Sequence, residues 1–391
     1  MGQPYLSWAE IDLDALAFNV QGFKRHVGDP VLLGAVVKGN AYGHGAVEMA
    51  KVCLQTGADW VIVNRSNEGV EVRQGGVTAP VLVLGYLMPQ EAERVVRWDL
   101  RPTVSNLEQI EALSAAAAAR GTVARVHVKV DTGLGRQGVL PARALDFVTA
   151  ASRVPHIQVE GVYSHFAVAD DGSPENVAYT RQQFESFLAV RDQIRRAGID
   201  IPLYHIATTA ATLNDPAMHL DMVRVGAGIG GLYPSEDVQK TVPLRPVLSL
   251  KSHVARVTVL PPGTSIGYGR TYVTAAPTRI ALVPVGYGDG YRRSLSNRGV
   301  VLIRGQRAPV VGRVSMDQST ADVTHLPDVA VNDEVVLIGA QGADYLSADE
   351  VGDLAGTVAY DITVTLARRI PRVYVQGGQV VAVEDLVDDT L

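Results

Sequence analysis

The sequence holds a single cysteine, Cys53, in 391 residues, so no internal disulfide can brace it. Cys53 sits in an apolar helical stretch and reads as a small core residue. Basic charge is short as well: 35 Lys and Arg stand against 41 Asp and Glu, which argues against the basic face that a nucleic-acid partner needs. No apolar run reaches bilayer-spanning length. The opening MGQPYLSWAEIDLD lacks the basic and then apolar segments of a secretory signal, and Leu6 stands where a myristoylated Gly2 would want Ser or Thr. No cluster has metal-ligand spacing such as HxH or HExxH. These absences point to a cytoplasmic protein with no metal, membrane or nucleic acid to serve. What is present is ordinary: 47% hydrophobic and 19% charged residues, too apolar for disorder and long enough for two domains.

Over its first 230 or so residues the chain alternates between short Val- and Ile-rich runs and helical patterns. The runs cover 31–37, 60–63, 81–84, 102–104, 126–130, 157–163, 203–206 and 222–225. Pro89 opens a helix at the first-turn position that proline prefers. Asn106 and Gln109 form a capping box before an Ala-rich stretch. A long helix is expected over 175–197, stopped by Gly198. Eight runs of this kind predict a (β/α)8 TIM barrel, with a doubly wound open sheet as the competing arrangement. Near-continuous apolar runs suit parallel strands buried on both faces. After about Arg245 the texture changes to period-two alternation broken by Gly, Pro, Asn and Asp, which predicts an all-β domain. One short helix is expected within it, opened by a capping box of Ser347 and Glu350. The predicted domains are 1–240, the barrel, and 241–391.

In a TIM barrel the site lies at the C-terminal ends of the strands. The first run ends in Lys38, within AVVKGNAYGHG. A partly desolvated lysine there is a candidate Schiff-base former; alone, it reads better as a strand-end lysine that snorkels. Tyr42 and His44 share its loop. The fifth run is followed by KVDTGLGRQG, which gathers Lys129, Asp131 and Arg136 beside glycines; the plain alternative is a surface turn with an internal ion pair. His165 follows the sixth run, and Thr208 and Thr209 follow the seventh. After the eighth comes a GxGxGG turn at Gly226. The last two loops are where barrels hold phosphate on backbone N–H groups. An amine after the first strand and a phosphate cradle after the last two are the two requirements of a pyridoxal phosphate site.

The motifs AVVKGNAYGHG, KVDTGLGR, YSHF, HIATTAATL, MVRVG, SIGYGRTY, RVSMDQ and RIPRVY, in this order, resemble those of the bacterial alanine racemases and span nearly the whole chain. The resemblance implies an isomerase that uses pyridoxal 5'-phosphate to interconvert L- and D-alanine by two-base proton transfer, supplying D-alanine for peptidoglycan. It implies a head-to-tail homodimer with shared active sites, and that the segment WAEIDLD joins the β domain before the chain enters the barrel. Lys38 would hold the cofactor and act as base on one face; Tyr268, from the partner chain, would be the base on the other. Tyr42 and Thr209, with Thr208 and the backbone around Gly226 and Ala227, would bind phosphate. Arg224 would face the pyridine nitrogen, supported by His205. Arg136 would contact the cofactor's phenolic oxygen and the substrate. Lys129 resembles a position carbamylated in this family, steadying that arginine. His165 would bond to Tyr268. Met316 would bind the substrate carboxylate through its backbone, next to Asp317. Tyr287 and Tyr360 resemble the narrow access to the site.

These residue types suit the chemistry. Racemisation needs a base on each face of the α-carbon. A tyrosine, with an ordinary pKa of about 10, needs a polar partner to act as one. An arginine will not protonate the pyridine nitrogen, which leaves the ring a weaker electron sink and limits side reactions. The chain departs from the family pattern at Thr208 and Thr209, where Asn-Ser is usual, at Ala227 and Gly230, where larger residues are usual, and at Ser315, where cysteine is common. Alternatives are a racemase of broader or serine specificity, and a barrel-type pyridoxal-phosphate decarboxylase. The decarboxylase would want a carboxylate at the pyridine nitrogen and a cysteine in the β domain, and Arg224 and Cys53 speak against both.

Overall fold

A computed structural model describes residues 5–387. They fall into two compact units. One comprises Leu16–Ala41 and Ala46–Arg245; the other comprises the chain up to Ala15, the short piece Tyr42–Gly45 and the chain from Pro246 onward.

The chain starts in β1 (Ser7–Asp12), which belongs to the second unit. The first unit then builds β2 (Leu32–Val36), β3 (Trp60–Val63), β4 (Val81–Val83), β5 (Leu100–Val104), β6 (Ala124–Lys129), β7 (Ile157–Tyr163), β8 (Leu203–His205) and β9 (Met222–Val225). All neighbours are parallel, in the order β8-β7-β6-β5-β4-β3-β2-β9. The end strands meet through Asp221 N–H to Tyr204 O and Arg224 N–H to Ala207 O, 3.1 Å each, which brings the sheet almost to closure. The eight strands are the eight runs of the sequence. β3, β4, β5 and β9 are buried at every residue, as strands covered on both faces must be. Each such Val, Ile or Leu contributes about 1.5–3 kcal/mol by leaving water.

The connecting helices start where their signals stand. Asn106 Oδ1 accepts from Gln109 N–H at 2.9 Å, and Gln109 Oε1 accepts from Ser105 N–H at 2.8 Å and Asn106 N–H at 3.3 Å. Pro89 is the first residue of a 3-10 turn that leads into the helix Ala92–Arg97. The helix Pro174–Arg196 is followed by Gly198 at φ +72°.

The second unit adds β10 (Leu248–His253), β11 (Arg256–Leu260), β12 (Ser265–Ile266), β13 (Tyr272–Val273), β14 (Thr278–Val283), β15 (Val300–Ile303), β16 (Gln306–Pro309), β17 (Ser319–Asp322), β18 (Glu334–Gln341), β19 (Asp344–Leu346), β20 (Arg372–Gln376) and β21 (Gln379–Glu384). Its main sheet runs β16-β15-β18-β10-β1-β20-β21, with β19 on β18; β11-β14-β17 and the hairpin β12-β13 form smaller sheets. β1, within WAEIDLD, sits between β10 and β20 in the main sheet. Two expectations need correction. The β region holds two α-helices, Ala348–Ala355 and Ala359–Val364. The second, AYDITV, is rich in β-branched residues whose strand preference the tertiary context overrides. The capping box at Ser347 is half made: Ser347 Oγ accepts from Glu350 N–H at 3.0 Å, but the Glu350 carboxylate is bound to Arg307, a charge-assisted contact stronger than a bond to a backbone N–H.

Candidate active site

At the C-terminal end of β2 the chain passes through Val37 to Lys38, and four left-handed residues follow: Gly39, Asn40, Ala41 and Tyr42, with φ of 62°, 52°, 51° and 55°. For the three that carry a Cβ this costs about 1–2 kcal/mol each. The turn is fastened by Ala41 N–H to Val37 O at 2.7 Å, Gly39 N–H to Glu68 Oε1 at 2.7 Å, and Ala46 N–H to Asn40 Oδ1 at 2.7 Å. It ends the strand abruptly and leaves Lys38 at the barrel mouth. Burial, and then the Arg136 guanidinium, lower the pKa of the Lys38 amine; Glu68 opposes this and Arg224 adds to it.

Lys129, the last residue of β6, is buried and donates to Gln137 O at 2.7 Å. Burial draws its pKa down to about 8; Asp131 opposes, and Arg136 and Arg224 assist. Asp131 organises the loop beyond. Its carboxylate accepts from the N–H groups of Gly133, Leu134, Gly135 and Arg136 at 2.9–3.1 Å. KVDTGLGR is thus a carboxylate-capped loop that carries Arg136, exposed, on its far side.

Arg224, on β9, is buried. Nη1 lies 2.8 Å from His205 Nδ1; Nη2 donates to Ser164 O at 2.9 Å and Ile206 O at 3.0 Å and lies 3.3 Å from His165 Nδ1. Tyr163 stacks flat on His205, ring centres 4.8 Å apart, and lies 5.2 Å beneath the guanidinium. Burial lowers Arg224 to about 10, against the opposing effect of Tyr163, so it stays cationic at neutral pH. Burial first, and Arg224 next, hold His165 and His205 well below the ordinary histidine value, so both are neutral there. Thr208 precedes the short helix Thr209–Asn214, and its carbonyl accepts from Thr212 N–H at 2.8 Å. Thr209 Oγ1 accepts from Gly226 N–H at 3.1 Å. In the turn Gly226–Ala227–Gly228 a Cβ on Gly228 would strike the Phe23 ring at 2.6 Å and Thr209 Cγ2 at 2.8 Å. A reactive amine, a buried cation that keeps its proton, and a hydroxyl beside a glycine turn with no room for a side chain at Gly228 together fit a group with an aldehyde, an aromatic nitrogen and a phosphate.

The second unit carries the other expected residues. Tyr42–Gly45 docks there: Arg372 Nε donates to Gly43 O at 3.1 Å, and a Cβ on Gly43 would lie 2.0 Å from Thr363 O. Burial and then Tyr360 raise the pKa of the Tyr42 hydroxyl. Tyr268, in the turn Tyr268–Arg270, is 71% exposed. Tyr287, Met316 and Asp317 are exposed as well, on two turns tied together by Tyr287 N–H to Ser315 O at 3.0 Å and Gly288 N–H to Met316 O at 2.7 Å. Arg369 clasps both turns, 2.7 Å from Asp289 and from Asp317. Tyr163, Glu68, Asp289 and Arg369 hold these residues in place and were not among those that stood out in the sequence. Tyr163 had a signal, a polar ring at the end of an apolar strand beside YSHF.

Comparison with known proteins agrees with this arrangement. The N-terminal domain of alanine racemase is matched over residues 11–234 and the C-terminal domain over 247–374. The chain is 44% identical to the alanine racemase of Halothermothrix orenii, covering 94% of this chain and 96% of that one, and 45% identical to that of Symbiobacterium thermophilum, covering 95% and 97%. Among solved structures it resembles alanine racemase from Clostridium difficile (TM-score 0.94, 35% identity, 99% and 100% covered). It also resembles that from Bacillus anthracis with bound L-Ala-P (TM-score 0.92, 35% identity, 98% and 99% covered). The chain belongs to the alanine racemase family.

Proposed function

We propose that the protein is a pyridoxal-phosphate-dependent isomerase that interconverts L- and D-alanine, a source of D-alanine for cell-wall peptidoglycan. The observation that carries this reading is Arg224: a buried guanidinium flanked by two neutral histidines and backbone carbonyls, beside an amine of lowered pKa. Lys38 would hold the cofactor, Thr208, Thr209 and the Gly226–Ala227 backbone its phosphate together with Tyr42, and Arg224 its ring nitrogen. When bound, the cofactor supplies an electron sink that acidifies the substrate's α-hydrogen.

The rest falls to the chain. Lys38 takes or returns the α-proton on one face. Tyr268, exposed on its own chain, does so on the other face in the site of a second copy, with His165 beside its hydroxyl. Such a homodimer shares its active sites. Arg224 cannot give up its proton near neutral pH, so the ring nitrogen stays unprotonated and proton transfer is confined to the α-carbon. Lys129, with a pKa near 8, is partly neutral in a cell. A neutral amine adds CO2 and releases a proton, and the resulting carbamate would set an anion beside Arg136 to orient it against the substrate. The Met316 backbone, held with Asp317 by Arg369, receives the substrate carboxylate, and Tyr287 and Tyr360 narrow the access. Purified protein supplied with pyridoxal phosphate should convert either alanine enantiomer to the racemate, and Lys38→Ala should not. Across a panel of amino acids alanine should react fastest. Serine is the second candidate, since Ala227 and Gly230 leave the turn with small side chains.

A further inference from the structure

Arg224 is tied to more than the barrel mouth. A line of polar side chains runs from it through the barrel interior. His205 receives Arg224 at Nδ1, and its Nε2 lies 3.0 Å from His127 Nδ1. His127 Nε2 has no partner within ordinary hydrogen-bond geometry, and Glu160 Oε2 stands 3.5 Å from it. Arg101 Nε holds the same Glu160 oxygen at 3.3 Å and its Nη1 reaches Asp99 at 2.7 Å. His127 and His205 are fully buried, and Arg224 and Arg101 nearly so.

The protons in this line can be arranged in one way only. A guanidinium donates and never accepts. His205 Nδ1 therefore offers a lone pair, and the neutral ring carries its hydrogen on Nε2. That hydrogen points at His127 Nδ1, which must accept, so His127 also carries its hydrogen on Nε2, aimed at the Glu160 carboxylate. Burial keeps both rings below the ordinary histidine range, with Glu160 opposing at His127 and Arg224 assisting at His205. The fold makes room for the line. The β6–β7 register shifts between Val126 and His127, and a Cβ on the opposing Gly161 would lie 2.4 Å from His127 Nδ1. Barrel interiors are normally filled with Val, Ile and Leu, and burying polar rings instead is costly.

We propose that His127 and Glu160 are positioning residues. They hold His205 as its Nε2–H tautomer, and through it keep Arg224 in one orientation, without touching cofactor or substrate. The proposal rests on the reading of Arg224 as the residue at the cofactor's ring nitrogen.

The test is 15N NMR of the histidine rings in the full-length protein, with and without pyridoxal phosphate. Both His127 and His205 should be neutral with the hydrogen on Nε2 at pH 7, cofactor present or not. A wild type with His205 or His127 protonated on Nδ1 overturns the proposal, and this measurement needs no variant. Glu160→Leu should shift the His205 signals and lower kcat roughly tenfold while KM stays within about twofold, whereas Glu160→Gln, which keeps an acceptor oxygen, should hold the tautomers and stay within about threefold of wild type. Unchanged His205 signals and kcat in Glu160→Leu also overturn it. Failure of the underlying reading looks different: Arg224→Leu would then leave the absorbance of the bound cofactor unchanged, while the tautomers of the unsubstituted protein remain as stated.

Discussion

Lys38 and Lys129 show how position divides labour between two like side chains. Burial and Arg136 lower both, but Lys129 is fixed to Gln137 O inside the barrel, whereas Lys38 stands at the mouth beside a left-handed turn. The Lys129 shift has a consequence for stability. Its pKa is about 8 folded and 10.5 as a free side chain. Between these values the unfolded chain binds the extra proton, so stability should rise as pH rises through that window. Lys129→Met should flatten the rise in urea midpoints measured in CO2-free buffer; an unchanged rise would show that Lys129 is not the source. Tyr268 offers a sharper residue-level test. Tyr268→Phe should slow α-hydrogen exchange into deuterated solvent by about a hundredfold or more for one alanine enantiomer and much less for the other, because one face alone loses its base. Equal loss for both would contradict opposed bases.

Elements were legible in the sequence to different depths. The eight barrel strands stood out because strands buried on both faces are mostly apolar, and 60–63, 157–163 and 222–225 coincide with their runs. The helix Ala359–Val364 was hidden because its residues favour strands in isolation. His127 was hidden because one polar residue in VHVK looks like the outward side of a strand, yet it lies two residues before Lys129 on the same side of β6 and is fully buried against Gly161. GNAYGHG announced a glycine-dependent turn, yet nothing local says that Tyr42–Gly45 leaves the barrel unit to dock on Thr363 and Arg372. That docking can be measured. Gly43 has φ +90° and no room for a Cβ, while Gly76 has φ +94° and open space around it. Gly76→Ala should cost about 1 kcal/mol, the left-handed penalty alone, and Gly43→Ala about 3 kcal/mol or more, in denaturant titrations. Equal costs would show that the close approach to Thr363 is not tight.

At the scale of the molecule, the fold keeps several histidines from charging. Burial holds His127, His165, His205 and His219 below the ordinary histidine value of 6.5. Below that pH the unfolded chain binds protons that the folded chain refuses, so stability should fall with acidification, by up to about 1.4 kcal/mol per pH unit for each group. Midpoints unchanged between neutral pH and about pH 5.5 would contradict this. A shared-site homodimer is expected from resemblance alone, because Tyr268 stands far from Lys38 in the chain and is exposed on its own surface. Mixing inactive Lys38→Ala and Tyr268→Ala proteins under conditions that exchange subunits should restore up to about a quarter of wild-type activity, since half the dimers would then hold one intact site of two. No recovery despite exchange would argue against shared sites. Whether Lys38 is the amine that holds the cofactor can be read from borohydride reduction of the cofactor-loaded protein followed by peptide mass spectrometry. The cofactor's mass should appear on the peptide that contains Lys38 and on no other; attachment elsewhere, or none, would rule out Lys38 as the anchoring amine.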